Sequence, residues 1–119
     1  MLAVEDDELN RKVLCEMLEY EGAVVTLAES GWQALEYLEM FGPSAFSIVL
    51  MDVQMPMMDG YEATRRIHSV NPGLPVVGLT AHAMEEERER CIAAGMVARL
   101  TKPVDLDVLV SVLLEKSRE

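Results

Sequence analysis

The sequence is poor in cysteine, in basic residues and in long apolar runs. Its two cysteines, Cys15 and Cys91, stand far apart, without the spacing of a zinc knuckle or the density of a disulfide scaffold. Reduced thiols in a cytoplasmic setting are therefore expected. Ten Lys plus Arg face twenty-one Asp plus Glu, for a formal net charge of −11. That balance argues against general attraction to nucleic acid phosphate, and no local basic patch interrupts it. No apolar run approaches the ~20 residues of a membrane span, and no basic leader precedes a hydrophobic stretch, so no membrane contact by this segment is expected. Repeats, linkers and low-complexity tracts are also missing. What remains is a chain of 119 residues, 50% apolar, which reads as one domain over 1–119. A chain of this length buries roughly two-thirds of its unfolded surface without needing a disulfide or a structural metal.

Strand and helix patterns alternate. Leu2-Ala3-Val4 is an apolar run cut off by Glu5-Asp6-Asp7-Glu8, the pattern of a buried strand ending in an acidic loop. Over residues 8–21, Leu9, Val13 and Met17 recur at helical spacing beside Leu14 and Leu18, with Gly22 as a stop. Residues 23–28 read as a second strand. Ser30-Gly31-Trp32-Gln33 has the S-x-x-Q form of a capping box, opening a helix that runs to about Met40 and ends at Gly42-Pro43. Phe46-Ser47-Ile48-Val49-Leu50-Met51 suits a central strand covered on both faces. A loop with Pro56 and Gly60 leads to a helix over 61–69, broken at Asn71-Pro72-Gly73. Pro75-Val76-Val77-Gly78-Leu79 is a fourth strand. The helix after it carries Glu85-Glu86-Glu87 in its first turn, where acids suit the helix dipole, and Gly95 ends it. Residues 97–100 form a fifth strand, and Leu106, Leu109, Val110 and Leu113 the inner face of a last helix. Five β-α units predict an α/β fold, a doubly wound five-stranded parallel sheet with helices on both faces.

The polar residues that matter follow strands. Glu5, Asp6 and Asp7 follow the first, Asp52 the third, Thr80 the fourth and Lys102 the fifth, all at the carboxyl edge where such sheets place their sites. In the order 2-1-3-4-5 the first and third strands are adjacent, so Asp6 and Asp52 converge. Two carboxylates about 4 Å apart repel by roughly 4 kcal/mol at an effective dielectric near 20, and Lys102 supplies one compensating charge. A hard divalent cation supplies more. Mg²⁺ suits a couple of carboxylates, a carbonyl, waters and a phosphoryl oxygen, whereas calcium wants more ligands. With such an ion Asp52 can act as a carboxylate nucleophile on phosphorus, Lys102 can neutralise the transferring group and Thr80 can donate to it. Taken singly, Asp6 or Asp52 is a helix cap or a surface acid; the combination points to chemistry.

These residues, at these strand ends, resemble the receiver domain of two-component response regulators, over essentially the whole chain. "VEDDELNR" resembles the acidic pocket, "IVLMDVQMPMMDG" the phosphoacceptor strand and loop, "LTAHAM" the threonine strand end and "LTKP" the lysine-proline turn. "ELNRKVL" with "LTAHAM" looks most like receivers attached to hybrid histidine kinases. The resemblance implies a flavodoxin-like fold with Asp52 as phosphoacceptor. It further implies that Asp6 and Asp52 ligate Mg²⁺ (or Mn²⁺) by side chain, Gln54 by its backbone carbonyl and Glu5 through water. Thr80 and Lys102 would contact the phosphoryl group, and the bond to Pro103 would be cis, aiming Lys102 inward. Gln54 and His82 would border the attacking water, with His82 and Asp7 lining the pocket. Asp7 stands where hybrid receivers often carry Asn, either strengthening metal attraction or sitting in water. Arg99 replaces the usual aromatic switch residue; it is expected to pair with an acid on the face of the fourth and fifth helices, the alternative being a solvated arginine.

The partners implied are a histidine kinase transmitter domain as donor and a histidine phosphotransfer domain as recipient. The domain itself would perform only self-catalysed phosphoryl transfer and acyl-phosphate hydrolysis. It would be cytoplasmic, either free-standing or cut from a longer hybrid kinase whose parent chain is free to be bound at the inner membrane. Other readings fit less well. Met51, Met55, Met57 and Met58 lack the nearby His or Cys of a copper site, and His68 and His82 are too few and too distant for zinc. Trp32 and Tyr61 read as packing residues, and the run 85–90 as a solvated helical face, although in receivers that region contacts partners. An aspartyl phosphotransferase of the haloacid dehalogenase type would want Asp where Gln54 stands, and also a cap domain. A flavin or nucleotide binder would want a glycine-rich cradle rather than an acidic loop. A degenerate receiver serving only as an interaction surface would not need the full set of acceptor-site residues found here.

Overall fold

The short apolar runs become strands because both of their faces are covered. A computed structural model of the chain describes residues 1–42, 44–82 and 84–117; Pro43, Ala83 of the "LTAHAM" segment and the last two residues of the 1–119 range lie outside the described residues. The strands are β1 (Leu2–Val4), β2 (Thr26–Ala28), β3 (Val49–Asp52), β4 (Val76–Thr80) and β5 (Ala98–Thr101), in one parallel sheet of order β2-β1-β3-β4-β5. Five helices alternate with them, α1 (Glu8–Tyr20), α2 (Gly31–Phe41), α3 (Gly60–Val70), α4 (Glu85–Ala94) and α5 (Leu106–Lys116). Alternate strand residues feed two cores. Leu2, Val4, Val49, Met51 and Val76 pack with α2, α3 and α4, while Ala3, Leu50, Val77 and Leu79 pack with α1 and α5.

Local chemistry sets the helix starts. Asp7, Ser30, Asp59 and Asp105 cap α1, α2, α3 and α5 by accepting from backbone N–H groups of the first turn, which satisfies donors that the helix cannot pair itself. The box at Ser30 is shifted: Gln33 N–H donates to Ser30 Oγ, but Gln33 Oε1 accepts from Glu29 rather than from the cap residue. α4 begins at Met84 without a side-chain cap and relies on Glu85, Glu86 and Glu87 in its first turn. It ends at Gly95, whose φ of +101° suits glycine and whose absent side chain leaves room for the His68 ring.

Several expectations shift. β2 is only Thr26–Ala28, because β1 offers three residues to pair; Ala23 N–H instead finishes α1 on the Leu18 carbonyl. β3 starts at Val49, since Phe46 leaves the strand line to pack edge-on against Phe41, and it runs on to Asp52, which pairs with Leu79. On α1 the buried residues are Leu14 and Leu18, while Leu9 and Val13 are exposed. Trp32 is not a buried packing residue either: it is 49% exposed, with the Arg66 guanidinium 4.8 Å from its ring. Met51, Met55 and Met58 are buried in the core and serve packing, while Met57 is exposed.

Gly60 joins α3 to the end of β3. A Cβ there would lie 2.4 Å from the Asp52 carbonyl oxygen and 2.7 Å from Val53 Cα, and backbone cannot move aside as a flexible side chain can. Gly60→Ala is therefore expected to cost about 1–3 kcal/mol through overpacking, read as a lower urea midpoint with an unchanged slope; an unchanged midpoint would show that the contact can relax freely.

Candidate functional site

The carboxyl edge of the sheet is where the strands hand over to the polar residues. β1 stops at Val4, so Glu5 and Asp6 emerge beside β3, whose last residue is Asp52. Asp52 pairs with Leu79, which puts Thr80 next on β4; Thr80 in turn pairs with Thr101, the last residue of β5, which puts Lys102 just beyond that strand. The Lys102 N–H donates to the Thr80 carbonyl at 2.8 Å, and the Lys102–Pro103 peptide is cis.

Lys102 lies between two carboxylates. Its Nζ is 3.0 Å from Glu5 Oε2 and 3.3 Å from Asp52 Oδ1, and both acids are only 2% exposed. Asp52 Oδ1 also accepts from the Gln54 N–H at 3.2 Å, and Glu5 Oε1 from the Asp7 N–H at 3.3 Å. One carboxylate oxygen each from Glu5, Asp6 and the Asp52 side chain lie within 4.8 Å of one another, with Asp6 exposed. Charges at that separation repel by about 3 kcal/mol at an effective dielectric near 20, and the Lys102 ammonium meets two of the three. The consequence falls on Asp52. Burial, and then the Glu5 carboxylate, push it up from 3.8 to about 7, against the pull of Lys102 and of the Gln54 N–H. Burial also works against the charge on Lys102, but hydrogen bonds and attraction from Glu5 and Asp52 outweigh it and hold the ammonium above its ordinary range. An all-oxygen, carboxylate-rich set with excess negative charge fits a hard divalent cation rather than a soft one.

Thr80 forms the next wall. It is fully buried, and its Oγ1 accepts from the His82 N–H at 3.1 Å and lies 3.5 Å from Glu87 Oε1. The same Glu87 oxygen accepts from the Tyr61 hydroxyl, and the Arg90 guanidinium sits 4.4 Å from the Tyr61 ring centroid. Burial, and then the bond to Glu87, keep the Tyr61 phenol protonated well above its usual range.

Of the residues singled out in the sequence, Glu5, Asp6, Asp52 and Lys102 come together, with Gln54 and Thr80 beside them. Others take different roles. Asp7 accepts from the Asn10 N–H as the cap of α1 and is not in the carboxylate cluster, because the chain turns into the helix there. Residue His82 is exposed, and its tie to the site is its backbone N–H. Arg99 is half-buried and donates to the Met84 carbonyl at 2.9 Å rather than to the acid expected for it; the start of α4 offers that carbonyl directly across from β5. Glu87 leaves the solvated face on which the run 85–90 was expected to lie.

Sequence reasoning passed over Arg11, whose Nη1 donates to the carbonyls of Glu5 at 2.9 Å and Asp6 at 3.0 Å, fixing the acidic loop from the first turns of α1. Its spacing, one helical turn and a half beyond those acids, was the available clue. Gly60 was read only as a break, and the contact between Tyr61 and Glu87, 26 residues apart, left no local trace.

Comparison with known proteins agrees with this geometry. A family model described as the response regulator receiver domain matches residues 1–114. The sensor histidine kinase RcsC of Salmonella typhimurium is 45% identical over 113 residues, covering 95% of this chain but 12% of that protein, so the chain spans about an eighth of the length of that relative. The receiver domain of the sensor histidine kinase PA1611 of Pseudomonas aeruginosa, solved with a magnesium ion coordinated in its active-site cleft, is 37% identical, with a TM-score of 0.86 over 97% of this chain and 93% of its own. The chemotaxis protein CheY4 of Vibrio cholerae superposes with a TM-score of 0.87 over 97% of this chain and 95% of that one, at 27% identity. With a sheet of order β2-β1-β3-β4-β5, a lysine bridging buried acids at its carboxyl edge and a family match along nearly its whole length, the chain belongs to the response regulator receiver domains.

Proposed function

We propose that residues 1–119 form a single receiver domain that takes a phosphoryl group from a histidine onto Asp52 and passes it on or changes surface conformation in response. The observation that carries this reading is the buried Asp52 carboxylate at the end of β3, held by Lys102 and paired with Leu79, the residue before Thr80. An Asp52 oxygen forms the new P–O bond while the P–N bond of the phosphohistidine breaks, its electron pair returning to the imidazole nitrogen. Asp52 reacts ionised, so no proton has to leave it during attack. Lys102 meets the charge on the transferring oxygens and the Thr80 hydroxyl donates to one of them. Hydrolysis reverses the bond at Asp52: water attacks phosphorus, the P–O bond breaks, and carboxylate and inorganic phosphate remain.

Magnesium, or manganese in its place, fits the donor set, with Asp6 and Asp52 as side-chain ligands, Gln54 through its backbone carbonyl and Glu5 through water. When bound, it supplies positive charge that offsets the carboxylates and the phosphoryl oxygens. The donor is a histidine kinase transmitter domain and the recipient a histidine phosphotransfer domain. The likeness to hybrid kinases supports reading this domain as a cytoplasmic segment of a longer kinase whose parent chain is free to be bound at the inner membrane, the alternative being a free-standing domain. Among the described residues no helix is long and apolar enough to cross a membrane.

Incubation with acetyl phosphate and Mg²⁺ is expected to add one labile phosphoryl group to the intact protein, by mass, and none to Asp52→Asn or without the metal. An adduct that survives in Asp52→Asn would move the acceptor elsewhere. The raised Asp52 value fixes the sign of two pH dependences. In the metal-free chain the folded state holds this proton more tightly than the unfolded state, so this contribution to stability is lost as pH rises from 3.8 to about 7. Metal has to displace the same proton, so Mg²⁺ affinity, measured by calorimetry, is expected to climb about tenfold per pH unit below that value and level off above it. A flat profile in the wild type would remove Asp52 from the ligand set.

A further inference from the structure

Thr80 has one hydroxyl proton and two claimants for it. In the structure its Oγ1 faces the Glu87 carboxylate at 3.5 Å, while Leu79, the residue before it on β4, pairs with Asp52. Glu87 is the one acid of the first-turn trio in α4 that is not fully exposed. Tyr61, buried at the start of α3, donates its hydroxyl to the same Glu87 oxygen. The Tyr61 ring is sandwiched into this arrangement by Arg90, one helical turn beyond Glu87. The carboxylate is thus aimed by one hydroxyl toward another, and it ties α4 to α3 and β4 together.

We propose that Glu87 is a positioning residue that competes with the phosphoryl group for the Thr80 hydroxyl, so that phosphorylation of Asp52 releases the first turn of α4. This rests on Asp52 being the phosphoacceptor. A hydroxyl donates one hydrogen bond at a time, so donation to a phosphoryl oxygen and donation to Glu87 exclude each other. With the acceptor empty, Glu87 holds Thr80 and its own helix turn. With Asp52 phosphorylated, Thr80 turns to the phosphoryl oxygen, Glu87 keeps only Tyr61, and the α4 start remains tied to β5 by the bond from Arg99 to the Met84 carbonyl. Because that turn has no side-chain cap, the loss of one such bond falls on a weakly held helix start. The surface this affects is the exposed face of α4, and the device does without an aromatic ring at position 99.

The test is the ratio of phosphorylated to unphosphorylated protein at fixed, subsaturating acetyl phosphate with Mg²⁺, for wild type, Glu87→Ala, Thr80→Val and the double variant. Removing the competitor is expected to raise the ratio about two- to fivefold, the worth of one modest hydrogen bond, with Glu87→Gln in between and Tyr61→Phe moving it the same way by less. The effect is expected to vanish when Thr80 is Val, as a double-mutant cycle requires. A ratio unchanged in Glu87→Ala, or a shift that persists without the Thr80 hydroxyl, overturns the proposal. Absence of any adduct in the wild type overturns the phosphoacceptor reading itself, and the proposal with it. Exchange of the Arg88 amide hydrogen, bonded to the Met84 carbonyl at 3.1 Å, reads the first turn without relying on the reaction. It is expected to quicken in Glu87→Ala and, in the wild type, on adding Mg²⁺ with beryllofluoride as an acyl-phosphate mimic; the same rate in all three states overturns the release of α4.

Discussion

Lys102 sits between two buried carboxylates, and most of what this domain does follows from that placement. Glu5 and Lys102 lie 97 residues apart in the chain, so the pair forms only when β1 and β5 have reached their places on either side of β3 and β4. A buried acid left without a partner is strongly unfavourable, which makes the lysine a condition for bringing Glu5 and Asp52 under the sheet edge at all. Yet one ammonium does not balance three acids. The surplus raises Asp52, and it is also what attracts a cation and, through it, an anionic phosphoryl group. The same imbalance that weakens the metal-free domain equips it to bind.

Precision at the site comes from backbone as much as from side chains. Arg11 holds the carbonyls of Glu5 and Asp6, Gly60 brings α3 against the Asp52 carbonyl, and the Gln54 N–H reaches back to Asp52 Oδ1. Each contact ties a helix or a loop to a strand end, and each has main chain as at least one partner. Acids on ordinary surface loops would spread apart under their own repulsion; here hydrogen bonds on the loop backbone oppose that spreading.

The strand order and the meeting of Asp52 with Lys102 were legible because apolar runs of three to six residues, each followed by a polar residue, leave little freedom in an α/β chain. Boundaries were less so. Phe46 and Ala23 look like strand residues by hydrophobicity alone, and only the lengths of their pairing partners decide that they are not. Leu9 and Val13 keep helical spacing with Leu14 and Leu18, but the α1 stripe facing the sheet is narrow, so the first two are left outside it. Asp7 shows the opposite difficulty, since an acid beside a metal-binding pair and an acid capping a helix are the same letter. Whether it does one or the other is settled by where the chain turns. Arg99 and Glu87 were the hardest to read: each finds its partner on a different element, 15 and 26 residues away respectively for Met84 and Tyr61, and no periodicity encodes such a contact.

Arg99 and Glu87 also bear on one physical question, how a charge appearing on Asp52 is felt at the surface. A ring that moves between buried and exposed positions needs an apolar slot, and an arginine hydrogen-bonded to a backbone carbonyl at the head of α4 has no reason to enter one. What connects the acceptor site to that head is polar instead: Thr80, Glu87 and Tyr61 along one line, Arg99 and the Met84 carbonyl along the other. Buried polar groups of this kind have discrete partners, so a lost bond leaves an unsatisfied group unless the helix turn moves to let water in. Under the proposal that Glu87 competes for the Thr80 hydroxyl, hydrogen-bond accounting rather than ring packing gives the two surface states their difference in free energy.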